Sequence, residues 1–244
     1  MDFLSVAFNE LLLKPLINIL VLLYALIPGA DLGVVIIVLT ILIRVVLYPL
    51  SHKALKSQKA LAELQPKIKE LQEKYKNDKE KQAKATMELY QQEHVNPFSG
   101  CAPLLLQLPL FIALFQLFRV DFAHFDSNLL YSFVHPPSSF DTTFFGLIDL
   151  AKASKETWAG KTLALITGLS QYFQSKTLSS QQSLKPQDKS QFSQMMQMQM
   201  TYMMPIFTVF IVWSFAAGIA LYWLVTTLFS IFQQYLINKK TSSN

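Results

Sequence analysis

One stretch of the sequence, residues 32–50, constrains the fold more than any other feature. It is apolar apart from Thr40 and Arg44. A helix needs about 20 mostly apolar residues to cross a bilayer, so this stretch predicts a membrane span. Charged residues make up only 15% of the chain and apolar residues 52%, whereas a soluble domain carries roughly 25% charge. A soluble domain and a disordered chain are therefore excluded as descriptions of the whole sequence.

Four further apolar stretches predict four more spans. They cover residues 101–118, 161–173, 202–215 and 219–237, and a tight outer turn at 216–218 separates the last two. Several are short or contain proline and polar residues, which favours helices that line a wet or protein-lined cavity. The predicted fold class is an all-α integral membrane protein with five transmembrane helices around a wet or protein-lined cavity.

The distribution of lysine predicts the orientation of the spans. Residues 51–100, 174–201 and 238–244 share one side and hold 15 lysines against 8 acidic residues. The other side carries residues 1–31 and 119–160, with Lys161 at its boundary, and holds 5 basic residues against 8 acidic ones. The positive-inside rule places the lysine-rich side in the cytoplasm. The N-terminus is then outside, and residues 238–244 form a cytoplasmic tail.

Residues 1–31 leave two interpretations open. The apolar run from 11 to 27 is interrupted by Lys14, Pro15 and Asn18. We predict an amphipathic helix that lies in the outer interface of the membrane. The alternative is a sixth span, which would move only the N-terminus to the cytoplasm.

The region from 51 to 100 has a different pattern, and its apolar residues repeat with the spacing of a coiled-coil seam. The first arm carries Leu61, Leu64, Ile68, Leu71 and Tyr75, and the second carries Ala83, Met87, Tyr90 and His94. Asn77 and Asp78 interrupt the pattern, and Pro66 is expected to kink the first arm near Gln65. The pattern predicts a cytoplasmic antiparallel helical hairpin that stands off the membrane.

Arg44 lies towards the cytoplasmic end of the first span, where a charge is expensive. A central arginine costs about 2.5–3.5 kcal/mol on insertion scales. One interpretation is that its side chain snorkels to the cytoplasmic interface. The other is that Arg44 faces a water-containing cavity and attracts an anionic visitor, since no predicted span contains an acidic residue to neutralise it. Further polar lining would come from Thr40, Gln107, Gln116, Gln171, Tyr222 and Trp223.

No pattern in the sequence predicts catalysis. The HExxH, GxSxG, P-loop and GxGxxG motifs are absent from it. The single cysteine, Cys101, excludes an internal disulfide and a multi-cysteine metal site. Asp121, His124 and Asp126 favour a solvated loop, and the methionines of 195–204 favour an adaptable apolar surface, over metal ligands. We expect no catalytic residue, no metal or other cofactor, no direct reading of nucleic acid, and a protein that is not an enzyme.

Six short segments, taken together and in order, resemble a known family. They are residues 14–16 (KPL), 40–49 (TILIRVVLYP), 64–68 (LQPKI), 93–111 (EHVNPFSGCAPLLLQLPLF), 203–210 (MMPIFTVF) and 218–223 (GIALYW). With these segments the chain resembles the YidC/Oxa/Alb membrane protein insertases in their short five-span bacterial form.

The resemblance implies five transmembrane helices around a hydrophilic groove, which is open to the cytoplasm and to lipid but closed to the outside, in a multi-pass protein of the bacterial cell membrane. Arg44 matches the groove arginine of the family. Thr40, Phe111, Tyr222 and Trp223 match positions that line the groove or meet the substrate helix. The implied partners are nascent membrane proteins and the lipid bilayer, with the Sec translocon, the ribosome or a targeting receptor as candidates for contact with the hairpin at 51–96. The short stretch after residue 237 argues against ribosome binding through a tail.

The predicted function is therefore that of a membrane protein insertase and chaperone in which Arg44 attracts acidic translocated segments. Two other classes stay open. One is a small anion transporter or channel that uses Arg44 as its site, although no internal repeat of the kind many carriers show is evident. The other is a non-catalytic membrane scaffold that holds partner subunits through the hairpin.

Overall fold

Helices dominate the chain. The computed structural model describes residues 3–29, 31–96, 102–119, 129–135, 137, 139–180 and 198–242. The helices are α1 (Phe3–Phe8), α2 (Lys14–Leu26), α3 (Leu32–Val46), α4 (Tyr48–Glu63), α5 (Gln65–Lys74), α6 (Lys79–Gln92), α7 (Ala102–Leu117), α8 (Trp158–Ser180), α9 (Met204–Ser214) and α10 (Ala217–Ser242). The predominantly helical structure, with apolar helices long enough for a bilayer, fits the predicted all-α membrane protein.

The non-helical elements are short. The π-helical turns Asn9–Leu13 and Gln199–Met203 lead directly into α2 and α9, and a 3-10 turn, Ser154–Glu156, precedes α8. The strands β1 (Thr143–Phe144) and β2 (Ile148–Asp149) pair antiparallel. Four predicted positions, Cys101, Asp121, His124 and Asp126, lie outside the described residues, as does the part of the predicted loop 174–201 that runs from 181 to 197.

Two helical stretches of the described residues have the length and the apolar composition to cross a bilayer, Ser5–Leu26 and Ala217–Lys239. Leu32–Val46 and Tyr48–Leu61 together form a third candidate that is bent by 66°. The apolar stretches Gln107–Leu117 and Thr201–Ser214 are shorter. Five spans therefore remain a prediction. The N-terminal stretch, predicted to lie in the interface, is long enough for the alternative of a sixth span.

The first predicted span, 32–50, breaks before its end. α3 stops at Val46, Leu47 leaves the helical conformation with ψ near 1°, and α4 starts at Tyr48 in a new direction. Pro49 explains the break, because its ring lacks the N–H that a continuous helix would need and restricts the residue before it. Arg44 consequently lies in the last turn of α3.

Other helix bounds differ from the predicted spans mainly by extension. α8 runs from Trp158 to Ser180, beyond 161–173 at both ends and into the predicted loop at 174–201. α10 begins at Ala217, inside the predicted turn at 216–218, and continues past residue 237. Predicted spans end where apolar residues end, but glutamine, lysine and serine extend a helix into water at modest cost.

Small residues bring α8 close to its neighbours. Gly160, Ala164 and Gly168 are buried at intervals of four residues, so they share one face of the helix. A side chain at Gly168 would overlap Val209 of α9, and Thr167 donates a hydrogen bond of 3.2 Å to the carbonyl of Ala220 in α10. In lipid, helices associate through such close backbone approach rather than through the hydrophobic effect.

Large apolar side chains point away from this packed core. Ile206 and Phe210 of α9 are 69% and 71% exposed, and Leu165 and Leu169 of α8 are also exposed. A water-soluble protein seldom carries an exposed apolar surface of this extent. These faces are suited to hydrocarbon.

One end of the molecule is held together by backbone hydrogen bonds from the segment 141–154. The carbonyl of Asp141 accepts from Leu32 at the start of α3, and Lys152 accepts from Ala217 at the start of α10. Ser154 donates to Phe215, next to the end of α9. We call this the hairpin end, after the β1–β2 hairpin. The starts of α3, α8 and α10 and the end of α9 lie here.

The N-terminal helix also contacts this segment and the one before it. The Asn18 side chain accepts from the backbone N–H of Tyr131 at 2.7 Å and donates to the carbonyl of Leu129 at 3.1 Å. The Tyr24 hydroxyl accepts from the N–H of Asp141 at 2.6 Å. Two points along α2 are thus tied to the connection that follows α7.

At the other end, α5 and α6 form an antiparallel pair. Lys67 near the start of α5 forms an ion pair with Glu93, just after α6, and α5 begins immediately after a break at Leu64, beside Pro66. Asp78 caps α6 by accepting from the N–H of Lys81, and this bond together with the Lys81 ammonium holds the pKa of Asp78 below its ordinary value.

The seam predicted for this pair is supported only in part, and the second arm differs from it. Leu64 and Ile68 are buried. Met87, however, is 49% exposed, and the cleft between the helices is lined by Ala85 and Leu89 of α6. The helix carries two apolar sets, Ala83 with Met87 and Ala85 with Leu89, and both have helical spacing. Spacing alone therefore could not choose the face.

Candidate functional site

Arg44 belongs to a polar cluster that joins three helices, α3, α7 and α10. Its side chain is half-buried, and its Nη2 donates to the Oε1 of Gln107 in α7 at 3.4 Å. The amide Nε2 of Gln107 in turn donates to the hydroxyl of Tyr222 in α10 at 2.8 Å. Tyr222 is almost fully buried. The sequence-predicted residues Arg44, Gln107 and Tyr222 are thus brought together in one chain of hydrogen bonds.

A second group of predicted residues lies on the next face of α10. The Nε1 of Trp223 donates to the Oε1 of Gln171 in α8 at 3.1 Å, and the hydroxyl of Thr227 approaches the same oxygen at 3.4 Å. The rings of Phe111 and Trp223 meet edge to face at 5.8 Å between centroids. Phe111 lies one turn after Gln107 on α7, so the aromatic contact connects the two polar groups.

Thr40 behaves differently from the other predicted residues. It is buried, and its hydroxyl donates to the carbonyl of Ile36 in its own helix at 2.6 Å. A threonine that bonds back to the preceding turn has satisfied its donor locally. Thr40 therefore packs beside the cluster without extending its hydrogen bonds.

The cluster has an unusual charge balance. None of the ion pairs among the described residues includes Arg44, and the partner that its guanidinium has there is the neutral amide of Gln107. A guanidinium offers five donors. A half-buried cation with a neutral partner keeps its capacity to attract an anion.

Further polar residues, which sequence analysis did not single out, extend from this cluster along α10. They are buried and lie at helical spacing on the C-terminal part of the helix: Thr226, Thr227, Ser230, Gln233 and Gln234. Both side-chain amide atoms of Gln233 and of Gln234, and the hydroxyl of Thr226, have no hydrogen-bond partner among the described residues. We call this set the α10 polar stripe.

The α10 polar stripe continues towards α4, where the Nδ1 of His52 is also buried without a partner. Buried polar atoms are nearly always paired with protein or with ordered water. The unpaired amides of Gln233 and Gln234 and the unpaired hydroxyl of Thr226 are therefore suited to water or to a polar chain. The signal in the sequence was the recurrence of polar residues at 226, 230 and 233–234, one helical turn apart in an otherwise apolar span.

These features define the class of protein. Helices with apolar, lipid-suited outer faces surround a polar cluster built on an arginine, and the stretch Ala217–Lys239 that carries much of the cluster is long enough to cross a bilayer. The chain is an integral membrane protein of predominantly α-helical structure. A family model described as "60Kd inner membrane protein" matches residues 22–244, so the chain belongs to that family, the YidC/Oxa/Alb family.

Relatives with curated names agree with this assignment. Proteins named membrane protein insertase YidC are 35% identical to the chain over 213 residues in Geobacter sulfurreducens and 34% identical over 235 residues in Geobacter metallireducens. These matches cover 86% and 96% of this chain but only 34% and 38% of the relatives, so the chain spans little more than a third of their length. The protein of the same name in Fusobacterium nucleatum is 34% identical over 208 residues, which cover 85% of this chain and 86% of that protein.

Proposed function

We propose that this protein inserts integral membrane proteins into the bacterial cell membrane and helps them to fold. The observation that carries the proposal is the half-buried guanidinium of Arg44, which contacts the neutral Gln107 and forms none of the ion pairs of the described residues. The names of the relatives, membrane protein insertase YidC, support the same function.

The route for a substrate in this proposal is a hydrophilic groove. Arg44, Gln107, Phe111, Gln171, Tyr222 and Trp223 line it, beside Thr40. The unpaired amides of the α10 polar stripe support this view, because they would be hydrated in a groove that opens at the end of α10. In the proposed orientation the lysine-rich pair α5–α6 lies in the cytoplasm with the C-terminus, and the hairpin end faces outside.

The N-terminal helix is proposed to lie in the outer interface rather than to span. Asn18 and Tyr24 support this orientation, since both bond to the connection between α7 and α8 on the proposed outer side. The N-terminus is then outside as well.

The energetic problem that the groove solves is the transfer of a polar tail across hydrocarbon. Unpaired polar groups are costly to bury, and a wet groove shortens the dry distance. Two unit charges 4 Å apart attract by about 1 kcal/mol in water and by about 4 kcal/mol at the effective dielectric near a protein surface. The half-buried Arg44 would therefore hold an acidic tail better than an exposed lysine would.

Release would need no nucleotide. Once the tail has crossed, the apolar helix of the substrate leaves the groove for lipid, driven by removal of its apolar surface from water. No bond is made or broken, so the proposed activity is not enzymatic.

The α5–α6 pair is proposed as the contact element for partners on the cytoplasmic side: the Sec translocon, the ribosome or a targeting receptor. Its few buried apolar residues and exposed lysines support a surface that is open to a partner. Nascent membrane proteins and the bilayer are the other proposed partners.

The test is insertion into liposomes that contain the purified protein. Two single-span substrates, identical except for an acidic or a neutral N-terminal tail, are followed by protease protection of the tail, with ion leak recorded in parallel. We expect protection that depends on the protein. Arg44→Ala should reduce insertion of the acidic tail more than that of the neutral tail. Arg44→Lys keeps the charge and should preserve most of the acidic-tail insertion.

Three outcomes would contradict the proposal. Equal loss for both tails in Arg44→Ala would exclude attraction of the tail by Arg44. A selective anion flux without tail protection would identify a transporter instead. Stable binding of partner subunits with neither protection nor flux would favour a scaffold.

A further inference from the structure

We propose that the β1–β2 hairpin is a lipid anchor, whose tip inserts apolar side chains into the interfacial region of the phospholipid leaflet at the hairpin end. The inference is independent of insertase activity. It rests on the exposure of Phe145 and Leu147, on the backbone of the tip, and on the depth at which the hairpin is held.

The tip exposes its largest apolar side chains. Phe145 is 70% exposed and Leu147 is 77% exposed, with Gly146 between them. Neighbouring Phe144 instead turns inward and fits against Gly33 of α3, where any larger residue would overlap its ring. The hairpin therefore has one apolar side chain packed inside and two that the described residues leave uncovered.

The backbone conformation of the tip is one that rarely carries a phenylalanine. Phe145 has φ 50° and Gly146 has φ 67°, so both central residues of the turn have left-handed backbone. Glycine, asparagine and aspartate suit such positions, and a bulky residue there is disfavoured. The ring of Phe145 contacts that of Phe144 with 4.5 Å between centroids, yet most of the side chain stays exposed. A bulky residue that is both strained and exposed points to an apolar surrounding outside the protein.

A shared hydrogen-bond acceptor fixes the depth of the tip. The carboxylate of Asp31 accepts from Val34 at the start of α3 and from the N–H of Phe145 at 2.7 Å. α3 is apolar from Leu32 to Ile43 apart from Thr40, so Asp31 marks the membrane boundary of this helix. Because the N–H of Phe145 donates directly to Asp31, Phe145 lies at the same level.

Trp158 marks the same boundary on α8. It is 84% exposed at the first residue of the helix, and the ammonium of Lys161 lies 4.9 Å from its ring centre. Tryptophan and lysine at the end of an apolar helix are the usual residues of the membrane–water interface. The segment 141–154, with its bonds to the starts of α3 and α10, carries the hairpin at this level. From Trp158 the exposed face of α8 runs on through Leu165 and Leu169, so the hairpin end borders a lipid-facing helix surface. This neighbouring surface selects phospholipid as the occupant.

The experiment measures the depth of spin labels in the full chain, reconstituted in phospholipid vesicles. The single cysteine, Cys101, is replaced by serine, and a nitroxide is attached to Phe145→Cys or Leu147→Cys. Collision rates with oxygen, which concentrates in lipid, and with a water-soluble nickel chelate give the depth. Lys76→Cys in the α5–α6 turn is the water reference, and Phe210→Cys on α9 is the lipid reference.

We expect the ratio of oxygen to nickel collisions at 145 and 147 to exceed the Lys76→Cys value several-fold and to approach that of Phe210→Cys. Phe145→Asn, which suits the left-handed backbone and keeps the turn, should shift a label at 147 towards the water value. A ratio at both tip positions equal to the water reference would overturn the proposal. So would shielding of the labels from both reagents, which would identify a protein cover. An unchanged depth at 147 in Phe145→Asn would exclude Phe145 as the anchoring residue.

Discussion

The side-chain amide of Gln107 donates a 2.8 Å hydrogen bond from its Nε2 to the hydroxyl of Tyr222 and accepts one from Arg44 at its Oε1. A neutral amide thus occupies the place where a carboxylate would neutralise the arginine. This arrangement keeps the net positive charge of the cluster while giving the guanidinium a defined position.

Placing a carboxylate at this position should cancel the charge without removing the arginine. We expect Gln107→Glu to lower insertion of an acidic-tail substrate to the level of Arg44→Ala, because the new carboxylate pairs with Arg44 at close range. Neutral-tail insertion and the unfolding temperature should change little. The liposome protection assay measures the first effect and thermal unfolding in detergent the second.

Gln116→Glu is the matched control for this prediction, because Gln116, although predicted from the sequence as polar lining, is not among the residues of the proposed groove. Gln116 lies on the same helix about 13 Å further along, at 1.5 Å per residue, so it adds the same charge away from Arg44. Normal acidic-tail insertion by Gln107→Glu, or equal loss in both variants, would contradict attraction by a single exposed charge at Arg44.

The contact between Gln171 and Trp223 should appear as a coupling energy. Gln171→Leu leaves the indole N–H of the partly buried Trp223 without its acceptor, and an unpaired group costs about 1–3 kcal/mol when it is fully buried. Trp223→Phe removes that donor. The double variant should therefore lose less free energy of unfolding than the sum of the losses in the two single variants. We expect a coupling of about 1 kcal/mol, within the range for residues in contact.

The measurement is the free energy of unfolding in mixed detergent micelles for the four proteins of the cycle. Gln171→Leu with Trp213→Phe, which alters a tryptophan of α9, is the matched control and should be additive. Additive losses in the cycle of Gln171 and Trp223 would show that the 3.1 Å bond contributes nothing to stability.

The amount of structure that the sequence predicts depends on how local the cause is. The kink at Pro66 is local, and α5 starts beside it as expected. The apolar stretches likewise predict helices, because a chain in lipid must satisfy its backbone internally. The break at Leu47 was missed although its cause, Pro49, is also local, since the apolar run continues through it to Leu50.

Lateral contacts are harder to predict. Gln107 and Tyr222 are 115 residues apart, and their meeting depends on how α7 and α10 are rotated about their axes. The sequence indicated that both are polar positions in apolar helices, but it did not show that Thr40 bonds to its own helix. The difference at α6 has the same origin, since two apolar sets compete for one neighbour.

The α10 polar stripe should be wet. We expect Gln233→Cys, in a Cys101→Ser background, to react with a charged, membrane-impermeant thiol reagent in vesicles. The unpaired amide atoms of Gln233 are buried from bulk solvent but suited to ordered water, and a thiol reacts as a thiolate, which forms in water and not in lipid. The modified fraction is read by mass spectrometry.

Leu228→Cys is the matched control on the same helix. Leu228 is half exposed on the surface of the protein, and in the bilayer that surface should meet lipid, so its thiol should remain unmodified. Faster labelling at 228 than at 233 would contradict a hydrated stripe and would place α10 with its opposite face towards water.

The two carboxylate oxygens of Asp31 accept different hydrogen bonds, so substitutions should remove one or both of these contacts at the hairpin end. Oδ1 caps α3 by accepting from Val34 at 2.8 Å, and Oδ2 holds the N–H of Phe145. Asparagine keeps one acceptor oxygen and is as good a helix cap as aspartate, whereas alanine keeps neither. Asp31→Asn should therefore preserve the start of α3 and release the hairpin, and Asp31→Ala should lose both, with about 1 kcal/mol of the loss due to the cap.

Hydrogen exchange resolved by mass spectrometry distinguishes the two effects. Peptides that cover 141–149 should exchange faster in both variants, because the N–H of Phe145 loses its bond to the Asp31 side chain in each. Peptides that cover the start of α3 should exchange faster in Asp31→Ala alone. Equal protection of the hairpin in wild type and Asp31→Asn would mean that the bond to Phe145 does not hold the hairpin. Its position would then depend on the backbone bond between Leu32 and Asp141 and on the packing of Phe144 against Gly33.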